Sequence, residues 1–196
     1  MKKLCGIDEA GRGPIAGPLC VAGAIFINDK DKNILELDDS KKLSQNKRNE
    51  LFDIVKNNCY YHIVFKSAKE IDSKGISTCL KESILEIMEN LKDNCDEFLM
   101  DGNTSFGINT LQHLIKADAT VKEVSAASIL AKVSRDRYMD EIAPKYKEYS
   151  FEKHKGYGTK IHVEAIKKYG RSDEHRHTFR LKALGEEKIG VQKNLF

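Results

Sequence analysis

The chain has 196 residues, 33 Lys or Arg against 30 Asp or Glu for a net charge of +3, and a composition that is 40% hydrophobic, 8% aromatic and 32% charged with only 3 Pro. That length and apolar content suit one globular core and exclude a collagen-like or disordered chain. The net charge is too mild to name a partner, but residues 151–182 hold nine Lys or Arg against four Asp or Glu, and four of the six His.

Taken in chain order, residues 4–8 form a short apolar run that predicts a strand. A Gly/Pro loop at 11–17 follows, and then a second buried strand at 19–27. Residues 28–39 are polar and loop-like. Ser44 offers an N-cap to a helix reaching about residue 58, with Leu51, Ile54 and Val55 on its apolar side. Aromatic and β-branched residues at 60–65 predict a third strand. The clearest helix spans 78–92, where Leu80, Ile84, Ile87, Met88 and Leu91 recur on one face. A fourth strand at 97–101 ends in a carboxylate, and a fifth is expected at 114–118. Residues 124–138 read as a helix with Ala126, Ala127, Leu130 and Val133 apolar. Thr159 caps a last helix with Val163, Ile166 and Tyr169 inward, closed by Gly170. The order predicts an α/β domain with a basic helical section toward the C-terminus.

The basic segment either contacts a polyanion or forms a solvated face. Cys5, Cys20, Cys59, Cys79 and Cys95 are odd in number and lack CxxC spacing, so they read as reduced thiols of a cytosolic protein. Asp8, Glu9 and Arg12 interrupt any signal-peptide apolar region. The longest apolar stretch, 14–27, is broken by Gly and Pro and too short for a bilayer. A cytoplasmic protein without a membrane partner is expected.

Three predicted strands run into acids: Asp8 and Glu9 after the first, Asp101 after the fourth, Asp118 after the fifth. In open α/β sheets, sites lie outside the strand ends. Four carboxylates converging on one edge need cations, and hard oxygen ligands of this kind suit Mg²⁺ or Mn²⁺. Such clusters hold two ions about 3.5–4 Å apart that organise in-line attack of water on a phosphodiester. For each acid taken alone, a cap or a solvated turn is the plainer reading. Gly11-Arg12-Gly13 follows directly, and its glycines let backbone N–H groups approach an anion or a sugar hydroxyl. The same residues match the dinucleotide fingerprint G-x-G-x-x-A. That motif must open a helix, whereas residues 17–27 read as a strand, and the preceding acids would repel a pyrophosphate. Lys41-Lys42 form either a phosphate clamp or a polar helix start. Tyr157, between Gly156 and Gly158, either stacks on a sugar or base or packs on its own loop.

Asp8-Glu9-Ala10-Gly11-Arg12-Gly13-Pro14 resembles the opening motif of bacterial type 2 ribonucleases H, the ribonuclease HII family. The likeness continues through Asp39-Ser40-Lys41-Lys42-Leu43-Ser44, Met100-Asp101-Gly102, Lys116-Ala117-Asp118, residues 126–132, Arg135-Asp136-Arg137 and Gly156-Tyr157-Gly158-Thr159. The resemblance implies a ribonuclease H-like fold, a mixed five-stranded sheet flanked by helices with a small C-terminal helical part. It implies a catalytic domain over 1–145, a basic substrate-binding part over 146–190 and a tail over 191–196. It also implies an endonuclease that cuts the RNA strand of RNA–DNA hybrids, and cuts 5′ to ribonucleotides embedded in duplex DNA, leaving 3′-hydroxyl and 5′-phosphate ends. Asp8, Glu9, Asp101 and Asp118 would be the metal-binding catalytic carboxylates for two divalent ions, Mg²⁺ or Mn²⁺. Gly11, Arg12 and Gly13 would read the ribose 2′-hydroxyl and its phosphate, Lys41 and Lys42 would clamp phosphate, and Tyr157 would stack on the sugar. Related type 3 enzymes carry Lys where Arg12 stands and add an N-terminal domain, so Arg12 and a start at Met1 side with type 2.

Asp38, Asp39 and Asp136 are expected to be structural or clamp-supporting, and His175 and His177 to face solvent or phosphate rather than a metal. The last five residues, Gln192-Lys193-Asn194-Leu195-Phe196, resemble the peptide by which bacterial replication proteins dock on the sliding clamp; the other reading is a tail folded back on the domain. Nothing demands more than a monomer. The rival to an enzyme is a catalytically silent nucleic-acid binder of the same fold, and the four acids argue against it.

Overall fold

The computed structural model describes residues 3–28 and 44–186. Asp38, Asp39, Lys41, Lys42, most of the expected 28–39 loop and the last five residues lie outside the described residues.

One sheet of five strands carries the fold, in the order β3-β2-β1-β4-β5. Strand β1 (Leu4–Ala10) pairs antiparallel with β2 (Leu19–Phe26), and β2 pairs antiparallel with β3 (Cys59–Lys66). On the other side β1 runs parallel to β4 (Glu97–Asp101), and β4 runs parallel to β5 (Leu111–Leu114). Helices α1 (Gln45–Asn58), α2 (Ala68–Lys74), α3 (Ile76–Leu91) and α4 (Lys122–Ile142) flank it. Helices α5 (Phe151–His154) and α6 (Lys160–Tyr169) follow. Among the described residues no helix is long and apolar enough to cross a membrane.

Alternation along β2 explains the layering. Leu19, Val21 and Ile25 join Leu80, Ile84, Ile87 and Leu91 of α3 in one core. Cys20, Ala22, Ala24 and Phe26 point the other way, into a second core with Ala126, Ala127, Ile129, Leu130 and Val133 of α4. The small residues on that face let α4 approach closely. Gly6 of β1 lies against the helix backbone itself, because a Cβ there would sit 2.2 Å from the Glu123 backbone.

The expected helix starts are present: Ser44 Oγ accepts from Lys47 N at 3.2 Å, and Thr159 Oγ1 accepts from His162 N at 3.5 Å. Gly170 closes α6, its N–H donating to Ile166 O at 2.8 Å. Two expectations need correction. The fifth strand lies earlier than 114–118, at Leu111–Leu114, and the chain then turns through Lys116 at φ 61° into a 3₁₀ turn, Ala117–Ala119. Only Leu111 of that strand is buried, so its apolar signal is faint. Tyr169 is not inward but 51% exposed, its ring edge-on to Tyr149 with centroids 6.4 Å apart.

A third core joins the C-terminal section to the body. Ile15 and Ala16 from the loop after β1 pack with Met139 of α4, with Ala143 just beyond it, and with Tyr149, Phe151 and Ile166.

Candidate active site

The parallel register of β1 and β4 pairs Ile7 with Met100, which brings Asp8 level with Asp101 at the carboxyl ends of both strands. Strand alternation puts both acids on the α4 side, since Ile7 and Met100 belong to the α3-side core. Asp118 arrives from the 3₁₀ turn after β5, and Asp101 Oδ1 accepts the Ala117 N–H of that turn at 2.8 Å. One carboxylate oxygen from each of Asp8, Asp101 and Asp118 then lies within 4.8 Å of the others.

Glu9 stands outside that trio. It lies within β1 rather than after it, and its Oε1 is 3.7 Å from Arg12 Nη1. Asp8 and Glu9 both line a cavity of about 500 Å³, together with Asp101, Gly11, Arg12 and Gly13. Arg48 of α1, Ser128, Lys132 and Arg135 of α4, and Tyr157 complete its wall. Tyr157 is 46% exposed there, with the Arg135 guanidinium 6.0 Å from its ring centre.

Asp8 is buried, and its carboxyl is pushed well above the usual range. Burial is the main cause, the neighbouring Glu9 charge adds to it, and a hydrogen bond with Ser128 opposes it. Three oxygen donors this close, one of them held up by burial and anionic neighbours, fit a hard divalent cation, which would relieve the repulsion and take all three as ligands.

The glycine turn is held by two arginines that sequence reasoning left without a role. Arg135 is 1% exposed and donates from Nε to Pro18 O at 2.9 Å, from Nη2 to Ala16 O at 3.0 Å, and from Nη1 to Lys155 O at 2.9 Å. Arg176 is fully buried and donates from Nη2 to Gly11 O at 2.6 Å, from Nε to Gly17 O at 3.0 Å, and from Nη1 to Arg12 O at 3.3 Å. Burial lowers the affinity of both guanidiniums for their protons; carbonyl acceptors on every side offset that desolvation. Gly11 has φ 91°, and a Cβ on it would meet Arg135 Nε at 2.2 Å, so only glycine fits between the turn and its clamp. Ser128, Lys132 and Arg135 fall at i, i+4 and i+7, a helix-face spacing that could have flagged them.

Asp136 is buried and bonds Lys132 Nζ at 2.7 Å, a supporting role as expected. His175 departs from its expectation. It is 1% exposed and faces neither solvent nor phosphate, because the Tyr149, Phe151 and His162 rings enclose it. His177 is exposed, and its backbone N–H donates to Asp72 Oδ2 at 2.7 Å.

A mixed sheet with two antiparallel and two parallel pairings, carrying convergent carboxylates at its carboxyl edge on a cavity that basic residues also line, defines the class of ribonuclease H-like metal-dependent hydrolases. The solved structures agree. A ribonuclease HII from Archaeoglobus fulgidus, in a complex with PCNA, superposes with a TM-score of 0.79 at 29% identity, covering 91% of this chain and 96% of that one. Ribonuclease H2 from Pyrococcus horikoshii gives 0.77 at 29% identity, over 90% and 93%. Ribonuclease HII of Aliarcobacter butzleri is 68% identical over the full length of both chains. The family model described as Ribonuclease HII matches residues 5–182, and the chain belongs to that family.

Proposed function

We propose that this protein is an endoribonuclease that hydrolyses the RNA strand of RNA–DNA hybrids and cuts 5′ to ribonucleotides embedded in duplex DNA, leaving 3′-hydroxyl and 5′-phosphate ends. The observation that carries this reading is that Asp8 and Asp101 share one cavity with the Gly11-Arg12-Gly13 turn, while their carboxylate oxygens gather with one of Asp118. Asp8, Asp101 and Asp118 would hold the metal, with Glu9 the fourth carboxylate on the same cavity. Two divalent ions, Mg²⁺ or Mn²⁺, would when bound activate water and stabilise the leaving oxygen.

The chain's own groups supply selection. The 2′-hydroxyl is what separates RNA from DNA at a given site. The Gly11-Arg12-Gly13 backbone, whose carbonyls Arg176 holds while Arg135 packs against Gly11, reads it beside the acids. Arg12, together with Lys41 and Lys42, would engage phosphate, and Tyr157 would stack on the sugar. The division into a catalytic body over 1–145 and a basic substrate-binding part over 146–190 is supported by the position of Tyr157, which approaches the cavity from that second part. One chain supplies every group named here, which supports action as a monomer. Free thiols at all five cysteines support a cytoplasmic setting.

The decisive experiment offers the protein a duplex with one ribonucleotide, with Mg²⁺, Mn²⁺ or EDTA. A cut 5′ to the ribonucleotide that EDTA abolishes is expected; binding without cutting would favour the silent nucleic-acid binder. We also propose that the last five residues, Gln192-Lys193-Asn194-Leu195-Phe196, dock on a sliding clamp. The solved PCNA complex of the Archaeoglobus relative supports a clamp partner. Deleting 192–196 is expected to weaken clamp binding and leave cleavage of naked duplex intact, and unchanged clamp affinity would refute it.

A further inference from the structure

His162 and His175 lie behind the cavity and line none of it. His162 is fully buried and His175 nearly so, yet every ring nitrogen of the pair has a partner. The partners dictate where the protons sit. Ser172 N–H donates to His175 Nδ1 at 2.9 Å, and an amide can only donate, so Nδ1 is bare and the neutral ring carries its proton on Nε2. The Ser172 hydroxyl, also 2.9 Å from that nitrogen, can donate to it as well. His175 Nε2 lies 3.0 Å from His162 Nε2, which must therefore accept. His162 Nδ1 lies 2.9 Å from the Tyr157 carbonyl, which only accepts, so Nδ1 donates. Donors thus run one way, from Ser172 through His175 and His162 to Tyr157.

A third imidazole braces the same segment. His154 stacks on His162 with centroids 4.3 Å apart, and its Nδ1 accepts Gly156 N–H at 3.2 Å. Its Nε2 donates to Tyr149 O at 2.8 Å. Phe151 presents its ring to all three and shuts out water. Burial keeps the pair neutral, pulling His162 down to about 4 and His175 to about 3. The groups that face the pair, His154, Arg171 and His177, disfavour further positive charge there.

The residue after His175 is Arg176, whose guanidinium holds the Gly11 and Arg12 carbonyls. One dipeptide therefore reaches both lips of the cavity, the glycine turn and, through His162, the Tyr157 loop. We infer that His162 and His175 are positioning residues whose one-way hydrogen-bond relay fixes Tyr157 relative to the Gly11-Arg12 turn, so that aromatic ring and turn engage one substrate together. The inference rests on the substrate roles proposed above for Tyr157 and the turn.

Two measurements test it. Nitrogen-15 NMR of the imidazoles in the whole protein is expected to show His162 as the Nδ1–H form and His175 as the Nε2–H form, neither titrating near the ordinary value of about 6.5. Reversed tautomers, or a midpoint at the ordinary value, overturn the relay, and no variant has to fold for this result. In steady-state cleavage of a duplex with one ribonucleotide, Tyr157→Ala is expected to raise KM about tenfold, the scale of one lost stacking contact. His162→Phe should raise KM about fivefold by misplacing the ring, and the double variant should be no worse than Tyr157→Ala alone. His162→Asn, which puts an amide N–H in place of Nδ1–H, should recover most of the loss. Losses that multiply in the double variant, or an Asn variant as poor as Phe, overturn the relay. A wild-type protein that leaves the duplex uncut, or a Tyr157→Ala variant with unchanged KM, sinks the underlying substrate reading instead, and the tautomer spectrum still judges the relay.

Discussion

The two sides of the cavity are built by different means. On one side, Asp8 and Asp101 sit on paired strands, and the ladder that joins β1 to β4 sets their spacing. On the other, the Gly11 turn and Tyr157 sit on loops, and buried side chains from distant parts of the chain set their positions. A sheet supplies precision to its own residues, since each strand is fixed by its neighbours. Loops have no ladder, so their placement must come from donors aimed at their carbonyls. The two sides should therefore fail differently: the acids should lose chemistry while keeping the fold, and the clamps should lose both.

The largest effect belongs to the strand side. Asp8→Asn or Asp101→Asn should cut single-turnover cleavage by on the order of a thousandfold while duplex binding persists. Comparable turnover in either variant would remove the assigned roles. Next comes Arg176→Met, which strips donors from the Gly11, Arg12 and Gly17 carbonyls. It should lower unfolding free energy by about 3 kcal/mol in urea titration; a loss within experimental error would mean that the turn holds itself. Gly11→Ala, at φ 91° and in collision with Arg135, should cost about 2 kcal/mol and lower kcat/KM as the turn shifts. A variant that matches wild type in both readouts would show that the turn tolerates displacement.

The clamp side also predicts acid sensitivity. His162 and His175 titrate lower in the folded protein, at about 4 and about 3, than the roughly 6.5 of an unfolded chain. Their contribution is complete above pH 6.5, and it drains away as pH falls toward 4 because only the unfolded state binds the protons. The urea midpoint should drop between pH 7 and pH 5, and drop less in His162→Asn. Parallel slopes for the two proteins would discount the pair.

This asymmetry also decides what was readable from sequence. The acids were legible because each ends or follows a short apolar run, and strand periodicity is a local signal. Ser44, Thr159 and Gly170 were legible for the same reason, since caps act within one helical turn. That Glu9 lies inside β1 needed the knowledge that the strand continues to Ala10, which its pairing with β2 reveals. Helix α2 was missed although Ser67 and Glu70 form a capping box, because the helix is only seven residues long. Arg135 and Arg176 were opaque for a deeper reason. All but one of their acceptors lie more than a hundred residues away in sequence, at separations of 117 and 165 for Pro18 and Gly11. A basic run looks the same in sequence whether its members face water or reach inward, and so His175 was assigned to the surface when aromatic rings enclose it.

The bond from Ala117 N–H to Asp101 Oδ1 has a consequence for how this site is dissected. Asp101 is at once a ligand candidate and the anchor of the turn that presents Asp118. Alanine at 101 would subtract a charge and also set its neighbour adrift, and the two injuries would be recorded as one. Asparagine keeps an oxygen for the amide to grip and removes only the charge, so the gap between the alanine and asparagine variants measures how far one acid's usefulness depends on the other's foothold.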